Sequence, residues 1–67
     1  MDDMEIGIRW LQGSPGERRL ICKLIEERAS HYRTTYPIWW VRTALLYACR
    51  DFQIDFTEYE KFMGSNG

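Results

Sequence analysis

The sequence has few of the residues that carry catalysis or bind metals. It contains one histidine, two cysteines and five glycines, and no glycine-rich phosphate loop. Zinc sites use ligand pairs a few residues apart, whereas His31, Cys22 and Cys49 are scattered along the chain. No serine or cysteine has a spacing that ties it to the histidine as a nucleophile. The sequence therefore predicts a protein that is not an enzyme and holds no metal or cofactor.

The sequence also lacks an excess of positive charge and a long apolar run. Its 9 basic and 10 acidic residues give a formal net charge of -1, and electrostatic binding to nucleic acid needs a local cationic excess. Nucleic acid is therefore an alternative partner that the composition does not favour. No segment has the roughly 20 apolar residues that span a bilayer, and the acidic start is unlike a secretory signal. We expect a cytoplasmic protein that does not engage membranes.

The length allows one domain, which we assign to residues 1–67. A chain this small buries a modest fraction of its surface, and its aromatic content of 15%, including three tryptophans, compensates with large rings. Cys22 and Cys49 both lie beside aliphatic residues within helical patterns. We interpret them as small buried side chains in a reducing compartment, with a Cys22–Cys49 disulfide as the less favoured alternative.

The most apolar stretch is residues 36–52, which read YPIWWVRTALLYACRDF. Pro37 is suited to the first turn of a helix, where its missing N–H costs no hydrogen bond. The stretch therefore predicts a helix over residues 37–52. Because it is apolar nearly all round, this helix must be covered on most sides.

A capping signal predicts the helix that precedes it. Ser14 can cap the first turn, Pro15 occupies the first helical position, and Glu17 completes a capping box. The apolar periodicity continues to about residue 32, and residues 31–36 are predicted to connect the two longer helices.

A second capping box predicts the last helix. Asp55 can cap it and Glu58 lies three residues later, so we expect a helix over residues 55–63. Gly64 is predicted to end it, which leaves residues 64–67 as a flexible tail.

The N-terminal segment fits two patterns. Met4, Ile8 and Leu11 lie on one helical stripe, and an aspartate before them can serve as a cap. The same segment also alternates apolar and polar residues as a strand does. We favour a short helix, because a lone strand would have no partner within the chain.

The expected fold is all-α: a small single-domain bundle of about four helices, with two longer antiparallel helices flanked by short N- and C-terminal ones. The predicted core is Leu20, Ile21, Leu24, Ile25, Ile38, Val41, Leu45, Ala48 and Phe52, closed at one end by Phe56, Tyr59 and Phe62.

The strand alternative predicts a different fold and function. If residues 4–10 form a strand that pairs with its copy, the order of elements over residues 4–52 resembles a ribbon-helix-helix repressor. The resemblance implies a dimeric DNA-binding transcriptional regulator, with Glu5, Gly7 and Arg9 facing the major groove. A regulator of the helix-turn-helix type shares the order of its helices.

One face of the central helix is the candidate site. At about 100° per residue, the arc opposite the expected core combines aromatic rings, arginines and a threonine, a composition typical of protein interface centres. Either the N-terminal and C-terminal segments cover this arc, or a partner does, and a homodimer is one such partner. The predicted partner-binding residues are Trp39, Trp40, Arg42, Thr43, Tyr47 and Arg50.

Arg28 falls in the middle of the apolar arc of the second helix. One interpretation is that its stem packs on the core while its guanidinium reaches water. The other is an ion pair with Asp51 or Asp55 that fixes how the helices pack.

The sequence thus predicts a non-enzymatic protein-protein interaction module that docks on a larger protein through the aromatic and arginine face. An adaptor, or a small inhibitor of the type that phages direct against host complexes, suits this size. The identity of the partner is not encoded in any motif.

Overall fold

The computed structural model describes residues 1–66 and confirms the all-α prediction. Its helices are α1 (Asp3–Gln12), α2 (Pro15–Thr35), α3 (Val41–Asp51) and α4 (Phe56–Asn66). No strand occurs within the described residues, so the ribbon-helix-helix alternative, which requires one, is wrong. Residue 67, the end of the predicted flexible tail, lies outside the described residues.

The predicted caps begin three of the helices. The Glu5 amide donates to the Asp2 carboxylate at 2.8 Å in α1, and the Glu17 amide donates to the Ser14 hydroxyl at 3.4 Å in α2. Asp55 accepts from the Thr57 and Glu58 amides ahead of α4. These side chains satisfy amides that a helix start leaves unpaired.

Two helix ends differ from the prediction. α4 continues through Gly64 to Asn66, because a glycine lowers helix propensity by about 1 kcal/mol without ending a helix. α2 continues to Thr35, so the connection to α3 begins later than residue 31.

The core is built mainly where α2 and α3 pack against each other. They run antiparallel, since Tyr32 contacts Tyr47 while Arg28, one turn earlier, contacts Asp51. Small side chains supply much of the α3 contribution, which lets the two helices approach closely. The buried residues of these helices are Ile21, Cys22, Ile25 and Ala29 from α2, and Ala44, Ala48 and Cys49 from α3.

α1 packs on the turn after α3 through Gly7. A Cβ at this position would overlap the Phe52 carbonyl oxygen, so only glycine permits this approach. Gln53, in the same turn, adopts the left-handed backbone region with φ 58°, as expected where a helix ends. The expected stripe of Met4, Ile8 and Leu11 is wrong, because these side chains are exposed.

The core face of α1 is instead formed by Ile6, Gly7 and Trp10. Trp10 is only 1% exposed and packs edge-on against Phe62, with ring centroids 5.6 Å apart. Its size and its contact with α4 decide the orientation of α1, which the periodicity of the smaller side chains did not indicate.

α3 begins four residues later than expected, at Val41. Pro37 lies in a turn in which the Trp39 amide donates to the Tyr36 carbonyl at 3.0 Å. This is the second position of a tight turn, which proline favours as strongly as a helix start. Ile38 is therefore 89% and Val41 54% exposed, and their assignment to the core is wrong. Leu20, on α2, is exposed as well.

Candidate protein-docking surface

Trp39 is held in place by a stack of aromatic rings. Its ring lies parallel to that of Tyr36, with centroids 4.4 Å apart, and to that of Tyr47, at 5.0 Å. Tyr32 of α2 adds a third ring at 5.7 Å. Offset and stacked pairs of this kind each contribute about 0.5–1.5 kcal/mol beyond the area they bury. The turn that precedes α3 is therefore fixed by its own side chains.

Trp40 points away from this stack into solvent. It is 80% exposed, although it follows a fixed residue and provides the N-cap position of α3. Together with Arg42, Thr43 and Leu46 it lines a shallow concavity of about 250 Å³. An exposed tryptophan on an ordered segment is unusual for a monomer in water.

The two arginines of the predicted site have different contacts. Arg42 forms a two-pronged ion pair with Glu60 of α4, at 3.1 Å through each nitrogen, and its guanidinium lies over the Phe56 ring. Arg50 lies over the Tyr47 ring, 5.3 Å from its centroid. Arg42 thus joins α3 to α4, while Arg50 extends the aromatic surface with a positive charge.

The structure therefore brings most of the predicted site residues to one side of α3. Thr43 is half-buried and Tyr47 and Arg50 are exposed. Trp39 belongs to the turn and supports the surface from beneath. Trp40 is 80% and Tyr47 37% exposed. We call this set, with Leu46, the docking surface; its residues are Trp39, Trp40, Arg42, Thr43, Leu46, Tyr47 and Arg50.

A charged network fixes the other edge of the aromatic stack. Arg28 donates to Asp51 at 2.9 Å, which confirms one of the two predicted partners. The Tyr32 hydroxyl donates to the same carboxylate at 2.7 Å. Asp55 is not a partner of Arg28, since it caps α4. Tyr32 is thus held both by the stack and by the network.

Asp3 is a second partner of Arg28 that sequence analysis missed. Both terminal nitrogens of Arg28 donate to the Asp3 carboxylate, at 3.0 and 3.2 Å. The guanidinium of Arg28 also lies over the Phe52 ring. The hydrogen bonds from Arg28 lower the pKa of Asp3, and the hydrogen bond to Asp51 raises the pKa of Tyr32. The acidic start of the chain was visible in the sequence, but the fold of α1 over α2 was needed to pair it.

Tyr36 is the other missed residue of this region. Its ring closes the stack on the side away from α3. The signal was present, because a Tyr-Pro-X-Trp segment places two aromatic residues at the ends of one turn. The prediction of a helix from Pro37 conceals this turn, and with it the stacking of Tyr36 on Trp39.

The side chains that could act as nucleophiles or metal ligands are placed unfavourably for these roles. Cys22 and Cys49 are both buried and unpaired, and burial raises the pKa of Cys22 to about 11 and of Cys49 to about 12. Such thiols are poor nucleophiles near neutral pH. Within residues 1–66, no group of three His, Cys, Asp or Glu side chains is arranged to hold a metal ion, and no helix is long and apolar enough to cross a bilayer.

Comparison with known proteins gives no relative from which residue roles could be transferred. No family model, no curated protein and no solved structure matches the chain.

Proposed function

We propose that the protein is a non-enzymatic binding module that docks on another protein through the docking surface. The observation that carries the proposal is Trp40, which is 80% exposed on a turn that the Trp39 stack stabilises. Tryptophan, tyrosine and arginine dominate the energetic centres of protein interfaces. A surface ordered before binding also avoids part of the entropy cost of association.

The docking surface combines apolar area with charged residues, as the centre and the rim of a protein interface do. Trp40 and Leu46 supply apolar area at the shallow concavity. Arg50 adds a positive charge to the docking surface, and Arg42 adds an ion pair with Glu60. Such a surface suits an adaptor or a small inhibitor that acts by occupying a site on a larger complex. The buried, unpaired thiols support the cytoplasm as the compartment, because disulfides are rare there.

The test compares capture of partners from the native cell by three versions of the protein. We expect Trp40→Ala to reduce the bound partner by about tenfold or more, as removal of an interface hot spot does. Leu11→Ala is the matched control, because it removes another exposed apolar side chain from a different helix. It should capture the same partner as the wild type.

Two results would contradict the proposal. One is equal capture by Trp40→Ala and the wild type. The other is loss of helical circular dichroism in Trp40→Ala, which would show that the side chain supports the fold.

The alternative of a helix-turn-helix DNA-binding regulator is separated from this proposal by titration with duplex DNA. Arg9, Arg28 and Arg42 are each paired with carboxylates, which leaves less positive charge for phosphates. Binding that weakens steeply with salt would favour the regulator, and absence of binding at low salt would exclude it.

A further inference from the structure

A second apolar concavity lies between α2 and α4, and we call it the groove. It has a volume of about 440 Å³, and its apolar lining comes from Ala29, Val41, Leu45, Tyr59 and Met63. Val41 is 54% and Met63 39% exposed. In the groove, the sides of α3 and α4 that face the core are therefore partly open to solvent.

The α2 wall of the groove has a symmetric arrangement of charges. Glu26, Ala29, Ser30 and Arg33 line it at the spacing of one helix face. An acidic residue thus stands three positions before the small pair and a basic residue three positions after it. If α2 is turned end for end, the basic residue takes the position that the acidic residue had.

The two charged residues of this wall are also without ion-pair partners in the part of the chain that the structure describes. Arg9, Arg28 and Arg42 each pair with a carboxylate, but no ion pair forms at Glu26 or Arg33. Both side chains are exposed. Their charges are therefore available to a molecule that lies along α2.

We infer that the groove is covered by a second copy of this chain, in a two-fold dimer in which the two α2 helices cross antiparallel at Ala29 and Ser30. A two-fold axis at this point places Glu26 of each copy opposite Arg33 of the other, because such an interface is made of the same surface twice. Ser30 is exposed at the crossing, while the small Ala29 beside it is buried within its own copy and adds no bulk there, so the helices can approach. Val41 and Met63 of both copies fill the space beside them.

A dimer through this face would have to cover a substantial share of the surface of each chain. A standard interface takes about 800 Å² from each partner, which is about one-sixth of the 4766 Å² that the chain exposes. The proposed interface consists of the exposed side of α2, which is 21 residues long, and the groove beside it. Association should depend on protein concentration.

The dimer leaves the docking surface free. At about 100° per residue, Leu45 in the groove and Tyr47 on the docking surface point to nearly opposite sides of α3. The dimer would present two docking surfaces at once and increase binding to a partner with repeated sites. The inference stands independently of the proposed function, since the two surfaces share no residue.

Sedimentation velocity over a range of concentrations tests the dimer. The wild type should dimerise, and both Glu26→Arg and Arg33→Glu should raise the dissociation constant by about tenfold or more, because each places like charges opposite each other twice. The double variant Glu26→Arg with Arg33→Glu restores both pairs and should dimerise as the wild type does.

A mixture of the two single variants sharpens the test. One chain then has two positive and the other two negative side chains at these positions, so the mixture should form a heterodimer although each alone is weakened. Glu27→Arg is the matched control, because the same charge change falls on the α1 side of α2 and should leave dimerisation unchanged.

A wild type that stays monomeric at every concentration would overturn the inference, and so would a double variant as weak as the single ones. Absence of a heterodimer in the mixture would do the same. None of these results would alter the capture experiment on Trp40, so the two proposals fail separately.

Discussion

The two ends of α3 lie in opposite surroundings. At its C-terminal end, Asp51 and Phe52 are covered by α1 and α2, tied by the Arg28 network and in close contact with Gly7. At its N-terminal end, Trp40 and Val41 remain exposed, beside the aromatic stack of the preceding turn.

This difference separates the contacts that hold the fold together from the side chains that remain exposed. The short α1 has 10 residues and can cover only one end of the longer α2 and α3 pair. In a chain too small to bury every apolar face, the closed end supplies the stability and the open end carries the surface that we propose for binding. Substitutions at the two ends should therefore affect different measurements.

The largest expected effect is at the closed end, from Gly7→Ala. The new methyl group would overlap the Phe52 carbonyl oxygen, so α1 must move off the turn or the turn must shift. We expect a loss of about 3 kcal/mol or more in the free energy of unfolding, measured by urea denaturation.

Gly16→Ala is the matched control for this substitution. Its nearest neighbour would be the Ser14 hydroxyl at 3.9 Å, an ordinary contact. Alanine in a helix is favoured over glycine by about 1 kcal/mol, so this variant should be as stable as the wild type or more stable. Equal losses in the two variants would show that α1 does not pack on the turn as described.

The next effect should come from Arg28→Met, which keeps the stem and removes the charge. Asp3 and Asp51 would then face each other without the guanidinium between them. Because all three side chains are partly exposed to solvent, we expect a loss of about 2 kcal/mol rather than the larger cost of a fully buried pair. Thermal or chemical denaturation at neutral pH measures it.

Measuring the stability of the wild type and of Arg28→Met at acidic pH provides the control for the role of the Arg28 charge. Arg28 lowers the pKa of Asp3 in the folded state, so the stabilisation is present above the ordinary pKa of about 3.9 and is lost as the pH falls through the lowered value. The stability difference between wild type and Arg28→Met should therefore narrow on acidification. A constant difference would place the effect of Arg28 in its packing.

The smallest effects compare the two adjacent tryptophans at the open end. Trp39→Ala removes a ring stacked on three others and should cost about 1.5 kcal/mol. Trp40→Ala removes an exposed ring and should change the stability by about 0.5 kcal/mol or less. The comparison fails if the two variants are equally destabilised in urea denaturation.

Much of the fold followed from local signals. The caps at Ser14 and Asp55 and the periodicity of α2 depend on residues close in sequence, and these predictions were confirmed. The local signals did not predict which face of α1 packs inward. That face depends on a contact between Gly7 and Phe52, which are distant in sequence. The pairing of Arg28 with Asp51 could be predicted only in part, because the sequence offers Asp51 and Asp55 as alternative partners.

The candidate site was predicted in composition but not in geometry. The sequence predicts Trp39 and Trp40 on one helix face, whereas the turn at Pro37 directs the Trp39 ring inward and the Trp40 ring outward. A proline is compatible with both a helix start and a tight turn, and only the stacking of Tyr36 on Trp39 decides between them.

The three tryptophans occupy three environments, and this makes the chain its own spectroscopic reporter. Trp10 is 1% exposed, Trp39 half-buried and Trp40 80% exposed. An aqueous quencher such as iodide should therefore reach Trp40 first and Trp10 only after unfolding. Binding at the docking surface would protect the quenchable emission and leave the buried emission unchanged, so occupancy and unfolding can be followed separately in one unlabelled sample.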